Sequence, residues 1–125
     1  MEVIHSENAP AEVGPYSQAV CANGVLYLSG QIGINPAAGR IEGTTVREQA
    51  EQVCMNIGAV LAKAGLDFSA VVKTTCFLTD MAAFAEFNDV YERYFIGKPA
   101  RSCVAVSALP AGALCEIEAV AVMER

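Results

Sequence analysis

Apolar residues return every three or four positions from Val46 through Ala50, Val53, Cys54, Ile57, Val60, Leu61 and Ala64, the spacing that lays one stripe along an α-helix. Thr45 with Glu48 three residues on forms a capping box, and Gly65 stops the run, which predicts an amphipathic helix of about five turns. A second stripe, Phe84, Phe87, Tyr91, Tyr94 and Phe95, predicts a helix that Asp80 caps and that Gly97 and Pro99 close. Residues 70–78, rich in β-branched side chains, read as a strand between the two helices. Upstream, residues 16–22 and 25–29 flank Asn23-Gly24, the dipeptide that suits both positive-φ positions of a type I′ turn, and predict a hairpin. Residues 1–5 suit a short edge strand, and Gly30 to Pro36 with Gly39 read as a glycine-bearing loop. That loop is either a wide connection or one whose backbone amides approach a small ligand.

Pro99 fixes the entry to a strand carrying Arg101, Ser102 and Cys103, a turn follows at residues 109–112, and residues 115–123 are apolar on both faces, as in a central strand. The order is two or three strands, helix, strand, helix, strand, strand. It predicts a single α+β domain over residues 1–125, with both helices on one face of a mixed sheet. No helix remains for the other face, so its apolar side chains are expected to be buried by further copies of the chain.

Charge changes this picture at three positions. Arg101 at the start of one apolar strand, and Glu116 and Glu118 inside another, are costly in a sheet unless they are partnered or used. The two acids read equally as salt-bridge partners of a neighbouring Lys or Arg in an architectural role, or as functional groups. Asn88, beside the stripe of the second helix, reads from its spacing as a marginal polar residue bonding a backbone group.

Composition then narrows the classes. Hydrophobic residues make up 54% of the chain and charged ones 18%, more apolar surface than a small lone domain can hide, which again favours an oligomer. The net charge of −6, with no run of Lys or Arg, offers no footprint for nucleic acid or anionic membrane. No apolar run reaches the roughly 20 residues a bilayer needs, and the N-terminus lacks the pattern of a signal peptide. The expected location is the cytoplasm. The five cysteines, Cys21, Cys54, Cys76, Cys103 and Cys115, are odd in number and widely spaced in apolar segments, as reduced core thiols are. With His5 the single histidine and no CxxC or HExxH, a metal site or a His-activated nucleophile has almost no raw material. No cofactor is expected, and the chemistry falls to Arg, Glu, Tyr, Asn, Ser, backbone groups and water.

Several segments together carry a resemblance: Asn8-Ala9-Pro10, Gly14-Pro15-Tyr16-Ser17-Gln18-Ala19, Ser29-Gly30-Gln31-Ile32, Val72-Lys73-Thr74-Thr75, Phe84 with Asn88 and Tyr91, Pro99-Ala100-Arg101-Ser102-Cys103-Val104, and Glu116-Ile117-Glu118-Ala119. In order and spacing, over nearly the whole chain, they resemble the Rid (YjgF) family of reactive intermediate deaminases, and its RidA branch most. The resemblance implies a chorismate-mutase-like fold in which the last strand lies inside the sheet, a homotrimer, and three equivalent sites in clefts between subunits. It implies hydrolysis of 2-imino acids, or of enamines such as 2-aminoacrylate that tautomerise to them, to 2-keto acids and ammonia. Carried over by position, Arg101 matches the arginine that takes the substrate carboxylate and Glu116 the acid associated with water. Tyr16, Ser29, Gly30, Asn88 and Cys103 match residues lining the cleft. The chain departs from the family pattern in the short connection Ile96-Gly97-Lys98 and in Ala105, where many members carry an acid; both bear on the cleft rim and substrate preference.

The residue types suit that chemistry. A guanidinium receives a planar carboxylate in a bidentate fork that an ammonium cannot reproduce, and a carboxylate within hydrogen-bond reach can orient water and move its protons. Cys103 is disfavoured as a nucleophile, since no histidine is available to activate a thiol set in an apolar strand. A non-enzymatic trimeric binding protein for 2-keto acids would need Arg101 without Glu116. An endoribonuclease or translation inhibitor suits an acidic chain poorly, and a chorismate mutase would need more cations around its dicarboxylate substrate.

Overall fold

The computed structural model describes residues 1–123. A six-stranded sheet runs in the order β1 (Glu2–Ile4), β2 (Ala19–Ala22), β3 (Val25–Gln31), β8 (Cys115–Val122), β6 (Val71–Leu78) and β7 (Ala100–Ala105). Only β6 and β7 pair in parallel, joined through helix α2 (Phe84–Tyr94); every other neighbour in this sheet is antiparallel. Helix α1 (Val46–Lys63) packs on β3 and β8 and against α2. The last strand is therefore central, as its two apolar faces predict, and does not form a hairpin with β7.

Local signals set most boundaries. Asn23 and Gly24 turn with φ of 54° and 75° and close the β2–β3 hairpin at Ala22 and Val25. Thr45 and Glu48 cap α1 reciprocally. At the other end Gly65, at φ 79°, donates to Ala62 O while Leu66 donates to Leu61 O, a Schellman ending.

Elsewhere distant partners override the local reading. The strand expected over 16–22 begins only at Ala19, because Gln18 is turned inward: its side-chain oxygen accepts from Ser6 N at 2.6 Å and its amide donates to Pro10 O at 2.8 Å. The segment expected as a loop from Gly30 instead extends β3 through Gln31, then pairs Ile34–Asn35 (β4) with Arg40–Ile41 (β5). Asn56, fully buried on α1, holds it by donating to Ile32 O at 3.2 Å and Ile34 O at 2.9 Å. Asp80 caps a 3-10 turn, Met81–Ala83, rather than α2 itself; its carboxylate accepts from Ala82 N, and α2 starts without a side-chain cap.

Strand alternation divides the sheet into two faces. Leu26, Leu28, Cys76, Leu78, Cys115, Ile117, Ala119 and Ala121 are buried under the helices. The intervening residues form the opposite face, where no helix lies among the described residues. There Val3, Val20, Tyr27 and Val120 are successive cross-strand partners, with Val3 54% and Tyr27 51% exposed.

Candidate functional site

Arg101 enters from β7, an edge strand, where its register partner is Thr74 of β6. Thr74 is buried under the helices, so Arg101 emerges on the helix side of the sheet. Its Nη1 donates to Asn88 Oδ1 at 2.8 Å, and its guanidinium carbon stands 4.7 Å from the ring centre of Tyr91 and 5.5 Å from that of Phe84. Arg101, Asn88 and Tyr91 border a cavity of about 370 Å³ with Pro99 and Lys98. Asn88 thus bonds a side chain rather than the backbone group that its spacing suggests. Cys103 lies two residues along on the same face, paired in register with buried Cys76. Burial pushes its thiol up, against the opposing pull of Arg101, which leaves it protonated and poorly nucleophilic.

Glu116 leaves β8 on the other face. Its register partner is Phe77, whereas Ile117 pairs with Cys76 in the buried row. Its carboxylate lies directly against Gly30, so closely that a Cβ at that position would overlap Oε2. The β3–β8 pairing is irregular between Leu28 and Gln31, and within this bulge Gly30 lies against the acid. Ser29 Oγ donates to Ser17 O at 2.6 Å, so the hydroxyl has only acceptor capacity left to offer. Tyr16, Ser29, Gly30 and Glu116 line a cavity of about 430 Å³, with Ile32 and Pro110 among its apolar walls. Glu116 is half-buried; burial first, and then the charge of Glu118, push its carboxyl above its ordinary value. Among the described residues neither Glu116 nor Glu118 forms an ion pair with Lys or Arg, so no salt bridge accounts for either acid.

One chain therefore gathers Arg101, Asn88 and Cys103 in one half and Tyr16, Ser29, Gly30 and Glu116 in another, on opposite faces of the sheet. It does not bring the halves together. Sequence reasoning missed the aromatic floor under Arg101. Phe84 and Tyr91 read as core stripe; their spacing of four and three from Asn88, and their place beside it in the family resemblance, marked them as its neighbours. Among the described residues no three His, Cys, Asp or Glu side chains converge as metal ligands, and no helix is long and apolar enough to cross a membrane.

Comparison with known proteins adds the following. The family model described as Endoribonuclease L-PSP, Ribonuc_L-PSP, matches residues 6–123. A relative named 2-iminobutanoate/2-iminopropanoate deaminase, from Mus musculus, is 48% identical over 122 residues, covering 97% of this chain and 90% of its own. Protein DfrA of Myxococcus xanthus is 53% identical over 124 residues, covering 97% and 95%. The crystal structure of E. coli TdcF with bound serine superposes with a TM-score of 0.94 at 38% identity, covering 99% of this chain and 100% of that one.

Proposed function

The chain belongs to the Ribonuc_L-PSP family, also known as YjgF or Rid, and we propose that it hydrolyses 2-imino acids, with the enamines that tautomerise to them, to 2-keto acids and ammonia. Its substrates on this reading are 2-aminoacrylate and 2-iminopropanoate derived from serine, or the threonine-derived equivalent, met in the cytoplasm and processed without a cofactor. The chain acts as a homotrimer. Neighbouring copies cover the apolar open face, and the Arg101 half-site of one copy meets the Glu116 half-site of the next, making three equivalent clefts.

Arg101 receives the substrate carboxylate through its fork, with Asn88 fixing one end of the guanidinium. Glu116 takes a proton from water as the water oxygen bonds to the imine carbon and passes it to the nitrogen, giving a carbinolamine; it then takes the remaining hydroxyl proton and delivers it to the nitrogen as the C–N bond breaks and the C=O bond forms. The products are the 2-keto acid and ammonia, so one water is consumed and Glu116 is regenerated. Ser29, its own proton committed to Ser17, accepts from the imine N–H. Because an imine hydrolyses slowly in water unaided, positioning and proton transfer suffice.

The observation that carries this reading is the Glu116 carboxylate itself. It is half-buried, without a cationic partner among the described residues, raised toward basicity, and given room by a glycine at the wall of a cavity. The family's endoribonuclease description finds less support. His5 is held between Glu7 at 3.2 Å and Glu12 at 3.0 Å, and the chain carries net charge −6.

The test is ammonia release from 2-aminoacrylate generated in situ from serine. The parent accelerates release over buffer, and Glu116→Gln lowers turnover by a factor of about 10² to 10⁴ while calorimetric binding of a 2-keto acid persists. A parent that binds the keto acid without accelerating release would favour a non-enzymatic carboxylate-binding protein. The serine bound to the similar TdcF gives that second reading its support.

A further inference from the structure

Thr74 and Arg101 are register partners in the parallel pair β6–β7, so their side chains leave the sheet side by side on the helix-covered face. Helix α2 crosses above them and presents Asn88 and Tyr91, three residues apart, on one side. Tyr91 reaches both strand residues. Its hydroxyl bonds Thr74 Oγ1 at 2.7 Å, with Thr74 1% and Tyr91 8% exposed. Its ring stacks on Phe95 at 4.3 Å with 19° between planes, and the Arg101 guanidinium carbon lies 4.7 Å from that ring's centre.

A tyrosine held at its hydroxyl and stacked along its face cannot swing about either side-chain torsion. An arginine has four such torsions and is costly to order when it binds a ligand. Laid on a fixed ring and held at Nη1 by Asn88, the Arg101 fork loses that freedom before a ligand arrives. We propose that Tyr91, pinned by Thr74, is a positioning residue for Arg101: it sets the tilt of the guanidinium for an incoming carboxylate. The inference rests on the reading of Arg101 as the carboxylate's partner. It gives the Thr74–Tyr91 hydrogen bond a task that core filling would not require.

A double-mutant cycle on calorimetric binding of 2-oxobutanoate tests it, using Tyr91→Leu, Arg101→Lys and the pair, with circular dichroism on each. Tyr91→Leu weakens binding by about tenfold when Arg101 is present. In the Arg101→Lys background it changes binding by less than about twofold, since an ammonium has no fork to orient. Equal losses in both backgrounds would overturn the inference and leave Tyr91 a core residue. A parent that fails to bind the keto acid would instead remove the reading of Arg101 itself.

Relaxation of Arg101 Nε in the ligand-free protein provides a second readout, which needs no binding and uses variants that keep the ring. In the parent and in Thr74→Ser, Arg101 Nε is as ordered as the backbone, whereas Thr74→Val releases it. Unchanged order in Thr74→Val would overturn the proposal whatever the binding data give.

Discussion

Glu116 is placed where its charge works against folding. With its pKa raised in the folded protein, the carboxyl's contribution to stability is fully present below the unfolded value and is lost as pH rises through the folded one. At neutral pH an ionised Glu116 therefore destabilises the fold, and Glu116→Gln should melt higher than the parent near pH 7. The gain should vanish once both proteins are held below the ordinary carboxylate range, and thermal melts at two pH values read it directly. A lower melting point at pH 7 would mean that the acid is architectural. The same shift displaces the acid limb of the pH–rate profile upward from the ordinary carboxylate range, because the base must be ionised to act. Gly30 carries a companion prediction. An added methyl overlaps Oε2 of Glu116, and Gly30 does not adopt a positive φ, so Gly30→Ala should keep the fold while moving the carboxylate. Ammonia release should fall by about 10², with an unchanged circular dichroism spectrum.

At the scale of elements, stability and chemistry separate. The capping box of α1 lies away from both half-sites, so Thr45→Ala should cost about 1 kcal/mol in a denaturant titration at fixed protein concentration and leave turnover per folded protein unchanged. Such features were legible in the sequence because their determinants sit within a few residues: Thr45 with Glu48, Asn23 with Gly24, Ala64 with Gly65. The central place of β8 was legible from apolarity on both faces. The β4–β5 pairing and the late start of β2 were not, because buried amides with partners well away in the chain decide them: Asn56 holds Ile32 and Ile34, and Gln18 reaches back to Ser6 and Pro10. The candidate site was legible as a set of residue types and, through the family resemblance, as a set of positions. Its division was hidden, since strand order and register assign Arg101 and Glu116 to opposite faces, and neither can be read from a linear pattern.

The whole chain is built as a half-covered sheet. Two helices close one face, while the other presents a row running through Val3, Val20, Tyr27 and Val120, with Phe77 and Val104 beside Glu116's strand position. On the proposed assembly, burying that row between copies would remove apolar surface from water at roughly 25 cal/mol per Å² and bring the separate half-sites into one cleft. Mixing subunits tests this most directly. Arg101→Ala and Glu116→Gln chains, each nearly inactive alone, are co-refolded in equal amounts and assayed for ammonia release from 2-aminoacrylate. If each cleft takes Arg101 from one copy and Glu116 from the next, one cleft in four receives both intact groups, and the mixture recovers about a quarter of parental activity. A mixture no more active than the average of the two variants alone would contradict a site shared between copies.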